Sequence, residues 1–118
     1  MKAFDYGFEL CDGQLAAKVA SGTEWSAEVL QTQTSTDLSV WKHMAMTYDG
    51  TTLRFYIGGT LINAAVGAHT TNNTALLFGR WTPASEFWNG LIDEVRIYSR
   101  ALTQAEIQTD LNTPVGGP

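Results

Sequence analysis

Two carboxylates stand side by side in "NGLIDEVRIY", residues 89–98: Asp93 and Glu94. Paired carboxylates perform glycoside hydrolysis, about 5 to 5.5 Å apart for retaining chemistry and wider for inverting chemistry. Neighbours in an extended strand point to opposite faces, so Asp93 and Glu94 cannot make that pair. Asp5 and Glu9 share a face but stand roughly 13 Å apart along the chain. His43 and His69 have no Ser or Cys arranged for nucleophilic attack. Cys11 is the one cysteine, with neither a second Cys nor a His nearby to make a metal site, a dyad or an internal disulfide. These residues argue for a non-catalytic protein.

Binding chemistry is better served. A sugar site asks for an aromatic face to stack on, with amides and carboxylates beside it to bond hydroxyls. Trp25 in "SGTEW" and Trp81 in "GRWTPASEF" fall in or beside loops, where a large aromatic has less structural reason to be. Asn72, Asn73, Arg80 and Glu86 lie near in sequence and can supply the polar contacts. Asp93 poses a separate question, because alternation puts it on one strand face with Leu91, Val95 and Ile97. A carboxylate on an apolar face requires partners. Backbone N–H groups of a neighbouring loop or an arginine such as Arg80 would serve.

The elements that must position these residues are strands. "FDYGFEL" alternates apolar and polar residues, turns at Asp12-Gly13 and returns as "QLAAKVA", a hairpin pattern. "WSAEVLQT" follows the Ser21-Gly22 turn. "WKHMAMTYD" carries Met44, Met46 and Tyr48 on one face and Trp41, His43, Ala45 and Thr47 on the other. Asp49-Gly50 turns into "TLRFYIG", Gly58-Gly59 into "TLINAAV", and the polar loop "GAHTTNNT" leads to "ALLFGR". A helical period occurs only in "ALTQAEIQTDL", where Thr103 and Glu106 have the spacing of a capping box and Leu102 and Ile107 that of a hydrophobic staple. About eight strands with short turns point to an antiparallel β-sandwich or jelly roll with a short C-terminal helix.

The 118 residues, 44% hydrophobic, suffice for one domain, taken as 1–112 with a flexible tail at 113–118. A net charge of −5 with seven basic residues leaves nothing to neutralise a phosphate backbone, so nucleic acid is not an expected partner. No apolar run approaches the ~20 residues that span a bilayer, so no membrane is expected. Asp5 and Glu9 stand where a signal peptide needs its apolar stretch, leaving the compartment open.

Three segments carry a family resemblance. "WKHMAMTYDGTTLRFYIGGTLI" resembles the laminin G-like signature of a Trp, a spaced His and a Tyr-Asp-Gly turn before a strand that ends in a glycine hairpin. "LLFGR" and "WNGLIDEVRIYSRALTQAEI" are similar to that family's last strands and closing helix. The resemblance implies a concanavalin A-like jelly roll, two antiparallel sheets face to face, in modules that are usually extracellular and bind carbohydrate or protein. It implies core positions for Trp41 and Trp88 and a structural role for His43. It also places Asp93 where a structural calcium ion is sometimes held, although calcium takes six to eight oxygens. Glucanases of this superfold carry Glu-x-Asp-x-Glu on one strand, a pattern absent here. Strands that usually precede the segment at Phe4 have no counterpart, and exposed sheet edges and apolar faces favour association. The expectation is a lectin-like module that completes its sandwich as a homo-oligomer. A protein-interaction module comes second, and a glycoside hydrolase a distant third.

Overall fold

Cys11 and Gln14 face each other across a two-residue turn and start the first hairpin of the chain. In the computed structural model, residues 6–11, 13–22, 24–32, 40–70, 80–82, 85–87 and 91–114 are described. β1 (Tyr6–Cys11), β2 (Gln14–Ser21) and β3 (Glu24–Thr32) form one antiparallel sheet in that order. β4 (Met44–Tyr48), β5 (Thr52–Ile57) and β6 (Thr60–Val66) form a second, also in chain order. β7 (Arg80–Thr82) and β8 (Ser85–Phe87) make a short ribbon.

The turns follow from local chemistry. Asp49 closes the β4–β5 turn, its Oδ1 accepting from the backbone N–H groups of Thr51 and Thr52 at 3.0 and 2.9 Å. Its Oδ2 accepts from Arg54 Nη1 at 2.9 Å. Between β5 and β6, Gly58 and Gly59 adopt φ of 60° and 77°, as a tight two-residue hairpin of this kind requires.

The two three-stranded sheets pack face to face. Leu15, Ala17 and Val19 of β2 and Ala27 and Val29 of β3 meet Leu53 and Phe55 of β5 in one buried cluster. Met44, Met46, Tyr48, Ile57, Ile62 and Ala65 close around it. Period-two patterning thus put Met44, Met46 and Tyr48 on the correct face. Phe8 of β1 touches Phe55 with ring centroids 5.8 Å apart, so the even-numbered residues of β1 face inward. The architecture is the expected antiparallel β-sandwich with one short helix.

That helix, α1, spans Gln104–Leu111. Thr103 Oγ1 accepts from Glu106 N while the Glu106 carboxylate accepts from Thr103 N, the capping box read in the sequence. Ile107 is buried, and Gln104 and Gln108 both donate to Gly59 O, tying the helix to the β5–β6 hairpin.

Two expectations fail. Residues 91–98 join no strand ladder, and Leu91, Asp93, Val95 and Ile97 are exposed. Asp93 Oδ1 accepts from Glu94 N at 2.8 Å, and Glu94 takes φ 52°, a left-handed turn that interrupts an extended run. The segment is tied to α1 instead, with Arg96 Nη1 donating to Asp110 O at 2.8 Å and Tyr98 Oη to Asp110 Oδ2 at 2.6 Å. Trp41 is the second correction: it precedes β4, lies outside the sandwich interior and is 64% exposed. Trp88 lies outside the described residues. His43 is half-buried, with Nδ1 enclosed and without a hydrogen-bond partner among the described residues.

Candidate functional site

The outer face of the β1–β2–β3 sheet gathers the charged and aromatic groups. Leu15, Ala17 and Val19 face the core, so Lys18 between them faces outward. Register sets Gly7 opposite it on β1 and Glu28 opposite it on β3, with Glu9 one diagonal step away. Lys18 Nζ is bonded to Glu9 Oε1 and, at 2.9 Å, to Glu28 Oε2. The Lys18 side chain is only 12% exposed. Burial alone would lower the ammonium pKa, but the bonds to Glu9 and Glu28 outweigh it and the net shift is upward. Lys18 is therefore a permanent cation that joins three strands.

Trp25 reaches this face through a backbone irregularity. Strict alternation from Ala27 and Val29 would turn Trp25 into the core. The β2–β3 register instead slips between Val19 and Ala20: Ala27 faces Val19, but Trp25 faces Ala20. Ser26 is the extra residue, and such a bulge re-aims the side chains that follow it. Trp25 consequently shares the outer face with Lys18, whose Nζ stands 5.3 Å from the indole centroid. Distances of this order give a cation–π attraction.

The bulge is fastened to the segment after β6. Ser26 Oγ donates to Ala68 O and, at 3.3 Å, to Val19 O. A Cβ on Gly67 would lie 2.4 Å from Ser26 O, so this close approach requires glycine. Thr70 N donates to Ala20 O at 3.1 Å, and the Ser21 and Thr70 hydroxyls are 3.0 Å apart. The polar loop thus sets out from the end of the sheet that holds Trp25.

The structure brings together some of the residues singled out in the sequence. Trp25 is the second residue of β3, half-buried beside its turn. Arg80 and Trp81 lie on β7 and Glu86 on β8, where Arg80 pairs with Phe87 and Thr82 with Ser85. Their side chains, and all of Asn72 and Asn73, lie outside the described residues. Among the described residues no group of three His, Cys, Asp or Glu side chains is placed to hold a metal ion. Asp93, exposed and bonded to its neighbour's N–H, brings one carboxylate where calcium takes six to eight oxygens.

Glu9, Lys18 and Glu28 were not singled out from the sequence. Their signal was the hairpin arithmetic: Asp12-Gly13 sets Lys18 against Gly7, and the Ser21-Gly22 turn brings Glu28 against Lys18. Chemically, both carboxylates are engaged by one ammonium, which stands beside an indole.

The comparisons agree with this architecture. A laminin G-like family model, described as concanavalin A-like lectin/glucanases superfamily, matches residues 3–108. No curated protein matches the chain. The crystal structure of an S-layer domain-containing protein (residues 221-444) from Clostridium thermocellum ATCC 27405 is similar, with 24% identity and a TM-score of 0.51. The match covers 85% of this chain and 52% of that one, so the chain spans about half the length of its structural neighbour. The chain belongs to the laminin G-like family of the concanavalin A-like superfamily.

Proposed function

We propose that this protein is a non-catalytic carbohydrate-binding module whose site is the outer face of the β1–β2–β3 sheet. The observation that carries the reading is Trp25, re-aimed by the Ser26 bulge to stand beside the Glu9–Lys18–Glu28 ion triplet. Lys18 stands over the indole and steadies it, and a pyranose ring packs against the exposed part of the half-buried Trp25 side chain. Glu9 and Glu28 side chains, about a third exposed, accept sugar hydroxyls, and Lys18 donates. Asn72 and Asn73, just past Thr70, are proposed as further contacts on the loop that leaves this end of the sheet. Trp81, Arg80 and Glu86 are proposed as a second platform on the β7–β8 ribbon. Both carboxylates of the sheet face serve one ammonium, which supports binding over hydrolysis.

A glycan array read with calcium and again with a chelator tests the proposal, with Trp25→Ala as control. Binding that is lost in Trp25→Ala supports it, and no signal in either condition removes it. A signal in calcium only would move the site towards Asp93. The second reading, a protein-interaction module, is favoured by the exposed apolar side chains of β1.

A further inference from the structure

We infer that β1 is a homodimer interface, at which two copies pair edge to edge about Phe8 into one continuous six-stranded sheet. This inference shares Glu9 and Lys18 with the sugar-binding reading, but its test reads mass and amide protection and so can fail separately from that reading. Among the described residues, β1 pairs on one side with β2 and with no strand on the other. An unpaired edge of this kind is a template for another chain. Its inward-facing Tyr6, Phe8 and Leu10 stay 41%, 41% and 39% exposed although they lie on the core side of the sheet.

The register follows from the hairpin. A two-residue turn makes Cys11 and Gln14 a hydrogen-bonded pair, so Glu9 and Gly7 also exchange bonds with β2. The N–H and C=O groups of Tyr6, Phe8 and Leu10 therefore point outward. A second β1 running antiparallel with Phe8 opposite Phe8 satisfies all of them, setting Tyr6 against Leu10 on either side.

Charge selects this register and this occupant. Pairing about Phe8 sets Glu9 of each copy opposite Gly7 of the other, and Gly7 lies opposite Lys18 within its own sheet. A Cβ built on Gly7 meets nothing within 4 Å, so the glycine leaves a slot on the outer face. Through it Glu9 of one copy reaches Lys18 of the other, about two strand spacings away. Sliding the pair to centre on Glu9 would instead put two carboxylates face to face, which costs stability. On the inner face the same register brings two Phe8 rings together, each already against its own Phe55.

Analytical ultracentrifugation of the chain across a micromolar series is the test, with hydrogen exchange as second readout. The expected result is a species of twice 12.9 kDa, with the amides of Tyr6, Phe8 and Leu10 protected. Gly7→Glu places two like-charge pairs in the interface while pairing with Lys18 inside each copy. It is expected to weaken the dimer roughly tenfold and leave the circular dichroism unchanged. Leu10→Lys, which removes apolar surface from the same edge, is expected to shift the equilibrium towards monomer as well. A monomer at all concentrations, a dimer whose three amides exchange freely, or a dimer unaffected by both variants overturns the inference.

Discussion

Lys18 Nζ stands 5.3 Å from the centre of the Trp25 ring, although on strict alternation those two side chains would lie on opposite faces of their sheet. One extra residue, Ser26, makes the difference, and it gives the sheet an aromatic exterior without removing an apolar group from the core.

Replacing Trp25 separates binding from folding. Trp25→Ala removes a half-buried side chain on the outer face and leaves the buried cluster intact, so stability should fall by about 1 kcal/mol or less while glycan binding disappears. Urea melts and isothermal titration with the best array ligand check the two halves.

Lys18→Met should cost about 1 to 2 kcal/mol, between an exposed and a buried ion pair, because Glu9 and Glu28 are left facing each other without a cation. The alkaline limb carries the same signature. The folded pKa of Lys18 is raised, so its contribution is complete below the ordinary value of 10.5 and is lost as pH climbs through the raised one. Denaturant midpoints of wild type should fall at that end, and those of Lys18→Met should fall less.

Gly67→Ala tests the anchoring of the bulge. The new Cβ would come within 2.4 Å of Ser26 O and 2.7 Å of Ala27 Cβ, and a destabilisation of about 1 to 3 kcal/mol is expected. Because the clash falls on Ser26, the variant should also shift the Trp25 indole N–H resonance, assigned by its loss in Trp25→Phe.

Two carboxylates held by local bonds, Asp49 in the β4–β5 turn and Glu106 in the first turn of α1, should contribute to acid unfolding. Arg54, then the backbone N–H groups of Thr52 and Thr51, lower Asp49 from 3.8 to about 2. Arg100, then Thr103, lower Glu106 from 4.5 to about 2. Both groups hold fewer protons folded than unfolded at mildly acid pH, so their stabilisation is complete above the ordinary values and is lost as pH falls towards 2. Midpoints should drop over that window in wild type and drop less in Glu106→Gln, which also loses its bonds to Arg100.

What could be read from sequence was what is local. The hairpins at residues 12–13 and 58–59 and the Thr103–Glu106 capping box each depend on a few adjacent residues, and all three are present. Alternation also grouped Met44, Met46 and Tyr48 of β4, which share the core-side face. The outward aim of Trp25 escaped because a one-residue slip reverses parity, and its fastening comes from Gly67 and Ala68, forty residues away. Trp41 and the 91–98 segment escaped for a related reason. Their patterns show which residues would suit a core, but exposure depends on which elements arrive to cover them. Glu94 at φ 52° and the bonds of Arg96 and Tyr98 to Asp110 direct that segment to the helix.

The glycine slot on β1 has a consequence for the kind of ligand such a surface suits. In a sheet continued through two copies of β1, the two β3 strands are five strand spacings apart, about 24 Å, and both Trp25 rings look out from the same side. A short sugar would occupy one ring at a time, whereas a chain of repeating units long enough to span the gap would engage both. The second contact would then form at high effective concentration. Weak individual sites would gain avidity for polymers, and the same protein held monomeric by Leu10→Lys would keep its affinity for oligosaccharides while losing its grip on the polysaccharide.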